Sequence, residues 1–178
     1  VENDQRIFSM ERIKIVLKSG KDQSPRRFHP WIFSGAIKKI YGNPSEGDLV
    51  DVYDNKDEFL AVGHYQPGSI AVRIISFKNV NSDTDFFRTR IKSAIEYRKS
   101  IGLAHNDHTN VYRLIHAEGD DMPGLIIDYY NGVAVMQMHS VGMYRLRKDF
   151  AEILKELLGD QLKAVFDKSE GTIPVMSG

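Results

Sequence analysis

The chain of 178 residues carries 24 basic and 24 acidic residues and contains no cysteine. A formal net charge of zero gives no bulk attraction to nucleic acid, so any anion-binding site has to be a local cluster. Without cysteine, these residues can form no disulfide, no cysteine zinc site and no thiol nucleophile. No run of eighteen apolar residues and no signal-peptide layout is present, which predicts no membrane partner and a cytoplasmic location.

Short strands separated by turns are predicted for the first half of the chain. Residues 12–17 alternate between polar and apolar side chains, and the same pattern recurs between tight turns over residues 47–77. Two prolines exclude a long helix from residues 18–30. These features predict a small β barrel over residues 10–80, followed by a polar linker at 79–84.

Helices and strands are mixed in the second half, which predicts an α+β domain over residues 84–170. The first helix should start at Ser82 or Asp83, either of which can cap it, and end at Gly102. Apolar spacing places Ile101 on its buried face, and Asn131-Gly132 is a strong hairpin turn. The remaining predicted elements are strands at 111–118, 124–130, 133–141 and 162–169 and a helix at 143–159. Residues 171–178 neither cap an element nor form a charged tail, so we expect them to begin a linker to a further segment.

The segment RRFHPWIFSGAI, residues 26–37, is the densest cluster of candidate binding residues. Arg26 and Arg27 could pair with phosphates, and Trp31 could stack on a base. The alternative is that Pro30 to Phe33 fill the barrel core while both arginines are solvated.

Two further features beside this segment are open to two interpretations. His29 could act as a general base, but no nucleophile or carboxylate stands at an informative spacing, which favours a structural or RNA-facing histidine. Lys38 and Lys39 either extend a basic stripe from the arginines or are ordinary solvated lysines.

Two polar motifs could hold a metal ion. HNDH offers His105, Asp107 and His108, and EGDDMPG offers Glu118, Asp120 and Asp121. The first motif has no fixed third ligand and the second lacks alternating ligands, so a solvated loop and a tight turn are favoured. We therefore predict no metal site. No Gly-rich dinucleotide motif or phosphate-binding loop is present either, so we predict that these residues bind no cofactor.

The combination of RIKIVLKSG, RRFHPWIFSGAI and GDLVDVYDNKDEFLAVGHY with YRLIHAEGDDMPGLIIDYYNG resembles one family. It is similar to the N-terminal part of the bacterial 23S rRNA cytosine-5 methyltransferases. The resemblance runs from about Arg12 to Lys168, and Met10 falls where family members typically begin.

The resemblance implies a PUA-like RNA-binding barrel at 10–80 and an EEHEE-type domain at 84–170, with the Rossmann methyltransferase domain absent from this chain. The cysteine nucleophile and the S-adenosylmethionine site of the family lie in that C-terminal domain. The fragment alone is therefore expected to have no enzymatic activity and no catalytic residues, although the full-length parent would use S-adenosylmethionine. Its own role would be to dock 23S rRNA for the catalytic domain.

The hypothetical RNA contacts are the side chains of Arg26, Arg27, His29, Trp31, Lys38, Lys39 and Arg73. Two alternatives remain open at this point. The chain could be a free-standing RNA-binding adaptor, or a protein–protein module that dimerises through the barrel or the 133–158 face. A homodimer of the full-length protein is also possible.

Overall fold

The computed structural model describes residues 12–81, 84–104 and 107–173, which form two sheets and four α-helices. The first sheet contains β1 (Ile13–Leu17), β2 (Trp31–Phe33), β3 (Ile37–Tyr41), β4 (Leu49–Tyr53), β5 (Phe59–Tyr65) and β6 (Ile70–Ser76). The second contains β7 (Val111–His116), β8 (Leu125–Tyr130), β9 (Val133–Met138) and β10 (Ala164–Asp167). The helices are α1 (Gln23–Arg26), α2 (Thr84–Ser100), α3 (Val141–Arg145) and α4 (Arg147–Leu158). In these ranges no helix is long and apolar enough to cross a membrane.

The six-stranded sheet is curled. Its order is β2-β6-β5-β4-β1-β3, so β2 and β3 form opposite edges. Only the short 3₁₀ turn Ser34–Ala36 joins these two strands, and a chain of that length spans at most about 14 Å. The outer strands of a flat six-stranded sheet would lie about 24 Å apart. The sheet therefore has to bend until its two edges approach each other.

The concave side of this sheet is filled by aliphatic side chains. Because strand side chains alternate between the two faces, one set from each strand points inward. The buried set is Ile15, Leu17, Ile32, Val50, Val52, Leu60, Ala61, Val72 and Ile74. The predicted strand at 12–17 and the predicted β pattern at 47–77 are confirmed.

The second sheet packs against α2 and α4. Phe87 of α2 and Phe150 of α4 meet edge to face, with ring centroids 5.4 Å apart, inside a large apolar cluster. The Asn131-Gly132 hairpin is confirmed, and both residues have positive φ, 45° and 96°, as a type I′ turn requires. Strand β10 returns parallel to β9, so α3 and α4 form the crossover.

Two helix predictions differ from the structure. The predicted helix at 143–159 is split, because Leu146 has ψ 4° and separates α3 from α4. Hydrophobic spacing continues through Leu146, so periodicity cannot reveal this break. Apolar spacing predicts that Ile101 lies on the buried face of the first helix. In the structure α2 ends at Ser100, and Ile101 is 50% exposed. The predicted caps Ser82 and Asp83 lie outside the described residues.

The two sheets meet at several places, and one of these is a contact of β5 with α3. His64 is buried against Gly142, where an added Cβ would lie 2.7 Å from the His64 Cβ. The Arg145 guanidinium donates to the Asp48 carboxylate at 2.8 Å beside this contact. The Nδ1 atom of His64 is buried without a hydrogen-bond partner among the described residues. Burial, aided by the positive charge of Arg145, lowers the pKa of His64 to about 4.

We expect the His64 contact to weaken in mild acid. The unfolded chain takes up the His64 proton near pH 6.5, whereas the folded chain resists protonation until about pH 4. Its contribution to stability is therefore complete above pH 6.5 and is lost as the pH falls toward 4, by about 3 kcal/mol. Urea unfolding of the wild type and of His64→Leu, measured from pH 7 to pH 4, checks this. Parallel loss of stability in the two proteins would show that His64 does not titrate in this way.

Candidate nucleic-acid interface

Aromatic side chains gather along the edge strand β2. The rings of His29 and Trp31 lie 5.8 Å apart and nearly perpendicular, and those of Trp31 and Phe33 lie 6.3 Å apart at 86°. Only Ile32 in this strand is buried, at 2% exposure, while Trp31 is half-buried and Phe33 is 48% exposed. The interpretation that Pro30 to Phe33 fill the barrel core is therefore right for Ile32 and wrong for Phe33.

The Trp31 ring is held in place by the second half of the chain. Its indole Nε1–H donates to the Glu118 carboxylate at 2.8 Å, across 87 positions of sequence. Its backbone pairs with Arg73 of the neighbouring strand β6. The indole orientation is thus fixed before any ligand arrives, and the side chain lies half-buried on an edge strand of the sheet.

Arg26 is surrounded by carboxylates. Its guanidinium donates to Asp22, Asp54 and Glu58, each at 2.7 Å. The hydrogen bond to Asp22, followed by that to Glu58, raises the pKa of Arg26 above its usual value. Three acidic partners neutralise this cation, so it is the least suited of the predicted contacts to bind a phosphate.

Arg27 differs from its neighbour. It is exposed at the end of α1, and no ion pair involves it in the described part of the chain. The next residue, Phe28, has a positive φ of 62° and packs edge to face on Phe77, with centroids 5.2 Å apart. Both Arg27 and His29 are exposed at this turn, and the His29 ring lies beside the aromatic residues of β2.

Lys38 and Lys39 lie on β3, at the other edge of the curled sheet. Both are exposed, and the Lys39 ammonium lies 4.4 Å from the centroid of the Tyr41 ring. Lys14 of the adjacent β1 lies 4.5 Å from the Tyr53 ring centroid, and it also pairs with Asp57. These lysines and tyrosines form a second basic and aromatic surface, and Asp57 neutralises part of its positive charge.

Arg73 is half-buried and donates to the Gln66 side-chain oxygen at 3.1 Å. Burial lowers its pKa, an effect opposed by the nearby Glu118 carboxylate. The residue lies directly opposite Trp31 in the β2–β6 strand pair, and it is half-buried rather than part of an open cationic surface.

The acidic motif EGDDMPG forms a turn whose carboxylates bond within the protein. Asp120 accepts two hydrogen bonds from the Arg98 guanidinium, at 2.7 and 2.6 Å, and Glu118 accepts one from the Trp31 indole. Asp121 adopts the left-handed conformation with φ 57°. Among the described residues no group of three or more His, Asp or Glu side chains could hold a metal ion. His105 of the HNDH motif lies outside the described residues.

One segment of the chain is strongly basic, although the formal net charge of the whole chain is zero. Residues 18–39 contain six basic residues and one acidic residue. A prediction based on the charge of this segment would also have included Lys18 and Lys21 among the RNA contacts. Phe33 was missed for a different reason, since an apolar residue in a strand is ordinarily expected to be buried.

The chain is similar to a PUA-like family model and to known rRNA methyltransferases. A family model described as a PUA-like domain matches residues 15–77. Ribosomal RNA large subunit methyltransferase I from Alteromonas mediterranea is 38% identical over 149 residues, which are 83% of this chain and 37% of that protein. The enzyme of the same name from Escherichia coli strain SMS-3-5 is 35% identical over 168 residues, 93% of this chain and 41% of the relative.

The fold also matches a solved structure. A protein from Streptococcus mutans assigned to the SAM-dependent methyltransferases superimposes with a TM-score of 0.74 at 21% identity. The superposition covers 87% of this chain and 40% of that protein. The chain therefore spans about two fifths of the length of these relatives. The mixed α+β class predicted from the sequence and the PUA-like domain implied by the resemblance are confirmed.

Proposed function

We propose that this chain is the RNA-recognition portion of an S-adenosylmethionine-dependent 23S rRNA cytosine-5 methyltransferase. Support comes from the named rRNA methyltransferases, which are similar over more than four fifths of the chain. The chain would dock rRNA for a catalytic domain that carries the cofactor site and the cysteine nucleophile. It would act in the cytoplasm.

The proposal divides the chain into three parts. A PUA-like barrel at 10–80 would bind RNA, and an EEHEE-type domain at 84–170 would connect it to the catalytic domain through a linker that begins at 171–178. The Trp31–Glu118 and Arg145–Asp48 contacts support a fixed arrangement of the first two parts. A homodimer of the full-length protein stays a prediction.

The observation that carries the RNA-binding role is the set of exposed cations beside exposed aromatic rings. Arg27, Lys38 and Lys39 are exposed, and none forms an ion pair within the described ranges. Phosphate oxygens could replace water on these groups without displacing a protein carboxylate. Arg26 and Arg73 would instead hold the surface in shape, through the bonds to Asp22 and Gln66.

Replacing Arg27 with alanine is expected to weaken rRNA binding through charge alone. Loss of one phosphate contact should reduce the slope of log affinity against log salt by about one. Filter binding of a 23S rRNA fragment across a salt series measures the slope. Lys155→Ala, which removes an exposed cation of α4 far along the chain, is the matched control and should leave the slope unchanged.

Equal salt slopes for the wild type, Arg27→Ala and Lys155→Ala would contradict the assignment of Arg27 as a phosphate contact. Absence of RNA binding, together with dimerisation seen by native mass measurement, would favour the protein–protein alternative instead.

A further inference from the structure

A pocket of about 450 Å³ lies between β2 and the segment that precedes it. Its apolar lining residues are Pro25, Trp31, Ile32, Phe33 and Ala36. Its polar rim is formed by Lys21, Gln23 and Ser24. This volume lies within the range of small-molecule sites and is sufficient for one nucleobase.

The aromatic residues at this pocket form one group, in which the Phe33 ring centroid lies 6.4 Å from that of His29 and 6.3 Å from that of Trp31. Phe33 is 48% exposed, although its neighbour Ile32 is only 2% exposed. Phe33 lies perpendicular to Trp31, whose indole is fixed by Glu118 at 2.8 Å. An indole fixed in orientation on an edge strand, with the exposed Phe33 ring beside it, provides a surface on which a planar group can stack.

The mouth of the pocket is open and polar. A Cβ added at Gly20 or Gly35 would meet no atom within 4 Å, so neither residue's surroundings obstruct the entrance. The side chains of Lys21 and Gln23 make no hydrogen bond or ion pair in the described parts of the chain. An amide and an ammonium are therefore free to bond the edge or phosphate of a bound nucleotide.

The charge of the surrounding segment favours a polyanion over a protein. Lys21 lines the pocket, and Lys18 donates to the carbonyl of Gly35, another lining residue, at 2.8 Å. A cationic rim around an aromatic slot is the arrangement by which single-stranded nucleic acid is bound.

We propose that this pocket receives one unpaired nucleobase of the bound RNA, stacked against Trp31 and Phe33. The RNA would present a loop, bulge or single strand at this edge of the sheet, because paired bases cannot expose their faces. This inference rests on the proposed RNA-binding function. It adds that recognition requires an unpaired base as well as phosphates.

Trp31 is the only tryptophan of the chain, so its fluorescence reports directly on the pocket. The whole chain is titrated with a single-stranded RNA oligonucleotide, the same sequence as a duplex, and inorganic polyphosphate. The single strand is expected to quench Trp31 emission, whereas the duplex and polyphosphate should bind through charge with little quenching.

Phe33→Ala is expected to reduce affinity for the single strand about tenfold, with an unchanged salt slope, because a stacking contact carries no charge. Phe33→Tyr retains the ring and should retain affinity. Phe166→Ala, which removes a phenyl ring that is 57% exposed on β10, is the matched control and should have no effect.

The outcomes separate the pocket from the wider function. Salt-dependent RNA binding with equal Trp31 emission for single strand and duplex, and no effect of Phe33→Ala, would overturn the base pocket and leave RNA binding intact. Failure of every RNA probe to bind would overturn the proposed function. Quenching by a proline-rich or aromatic peptide but not by RNA would assign the pocket to a protein partner and overturn the inference.

Discussion

Replacing Asp120 with alanine is expected to lower the free energy of unfolding by about 3–5 kcal/mol, because it leaves a buried cation unpaired. The Arg98 and Asp120 side chains are 8% and 9% exposed. Asp120 also accepts the His116 amide at 2.6 Å, while the Arg98 Nε donates to the Arg113 carbonyl at 3.0 Å. The substitution would thus leave the buried Arg98 guanidinium without its carboxylate partner, and it would also remove the acceptor of the exposed His116 amide. Urea unfolding at pH 7 measures the loss.

Asp128→Ala is the matched control for this substitution. Asp128 bonds Arg113 at 2.8 Å with similar geometry, but the arginine is 44% exposed, so its charge is solvated once the partner is removed. We expect a loss of about 1 kcal/mol or less. Equal losses of unfolding free energy in Asp120→Ala and Asp128→Ala would contradict the claim that burial of the ion pair determines the size of the loss. A double variant, Arg98→Leu with Asp120→Leu, should recover much of the lost stability, since it removes the stranded charge.

Gly63→Ala is expected to disrupt the pairing of β5 with β6. A Cβ at Gly63 would lie 2.7 Å from Val72 Cγ1 and 2.8 Å from the Arg73 carbonyl carbon, and the latter is backbone that cannot rotate away. Overpacking of this kind typically costs about 1–3 kcal/mol, and a backbone clash places the expected loss at the upper end. Chemical unfolding, with circular dichroism to report the strands, measures it.

Gly35→Ala is the matched control, because it replaces a glycine at a position where the added Cβ causes no clash. Gly35 has an ordinary φ and nothing within 4 Å of its added Cβ, so its substitution should change stability by less than about 0.5 kcal/mol. If both alanine variants unfold at the same urea concentration, the close approach of β5 to β6 is not a constraint on sequence.

Local patterns were sufficient to predict most elements of the fold. Alternation predicted β1, and the positive φ demanded by a two-residue hairpin predicted the turn at Asn131-Gly132. Helical spacing predicted the buried face of α2. These signals depend on residues close together in sequence, which is why one chain reveals them.

Features set by distant partners could not be predicted in this way. Nothing near Asp120 in the sequence indicates that Arg98 will neutralise it across 22 positions, or that Glu118 will orient Trp31 across 87. The same limit applies to Arg26, whose two most distant carboxylate partners lie 28 and 32 positions away. A cluster of arginines in sequence therefore does not specify which of them is free to bind an anion.

The central proposal is that this chain delivers 23S rRNA to a cytosine-5 methyltransferase domain, and it is tested most directly with the full-length protein. We expect that protein, supplied with S-adenosylmethionine and unmodified 23S rRNA, to form 5-methylcytidine detectable by nucleoside mass spectrometry. Arg27→Ala should raise KM for rRNA while leaving kcat unchanged, because it weakens docking and not chemistry. Failure of the full-length protein to form 5-methylcytidine, or a lower kcat with unchanged KM in Arg27→Ala, would contradict the account.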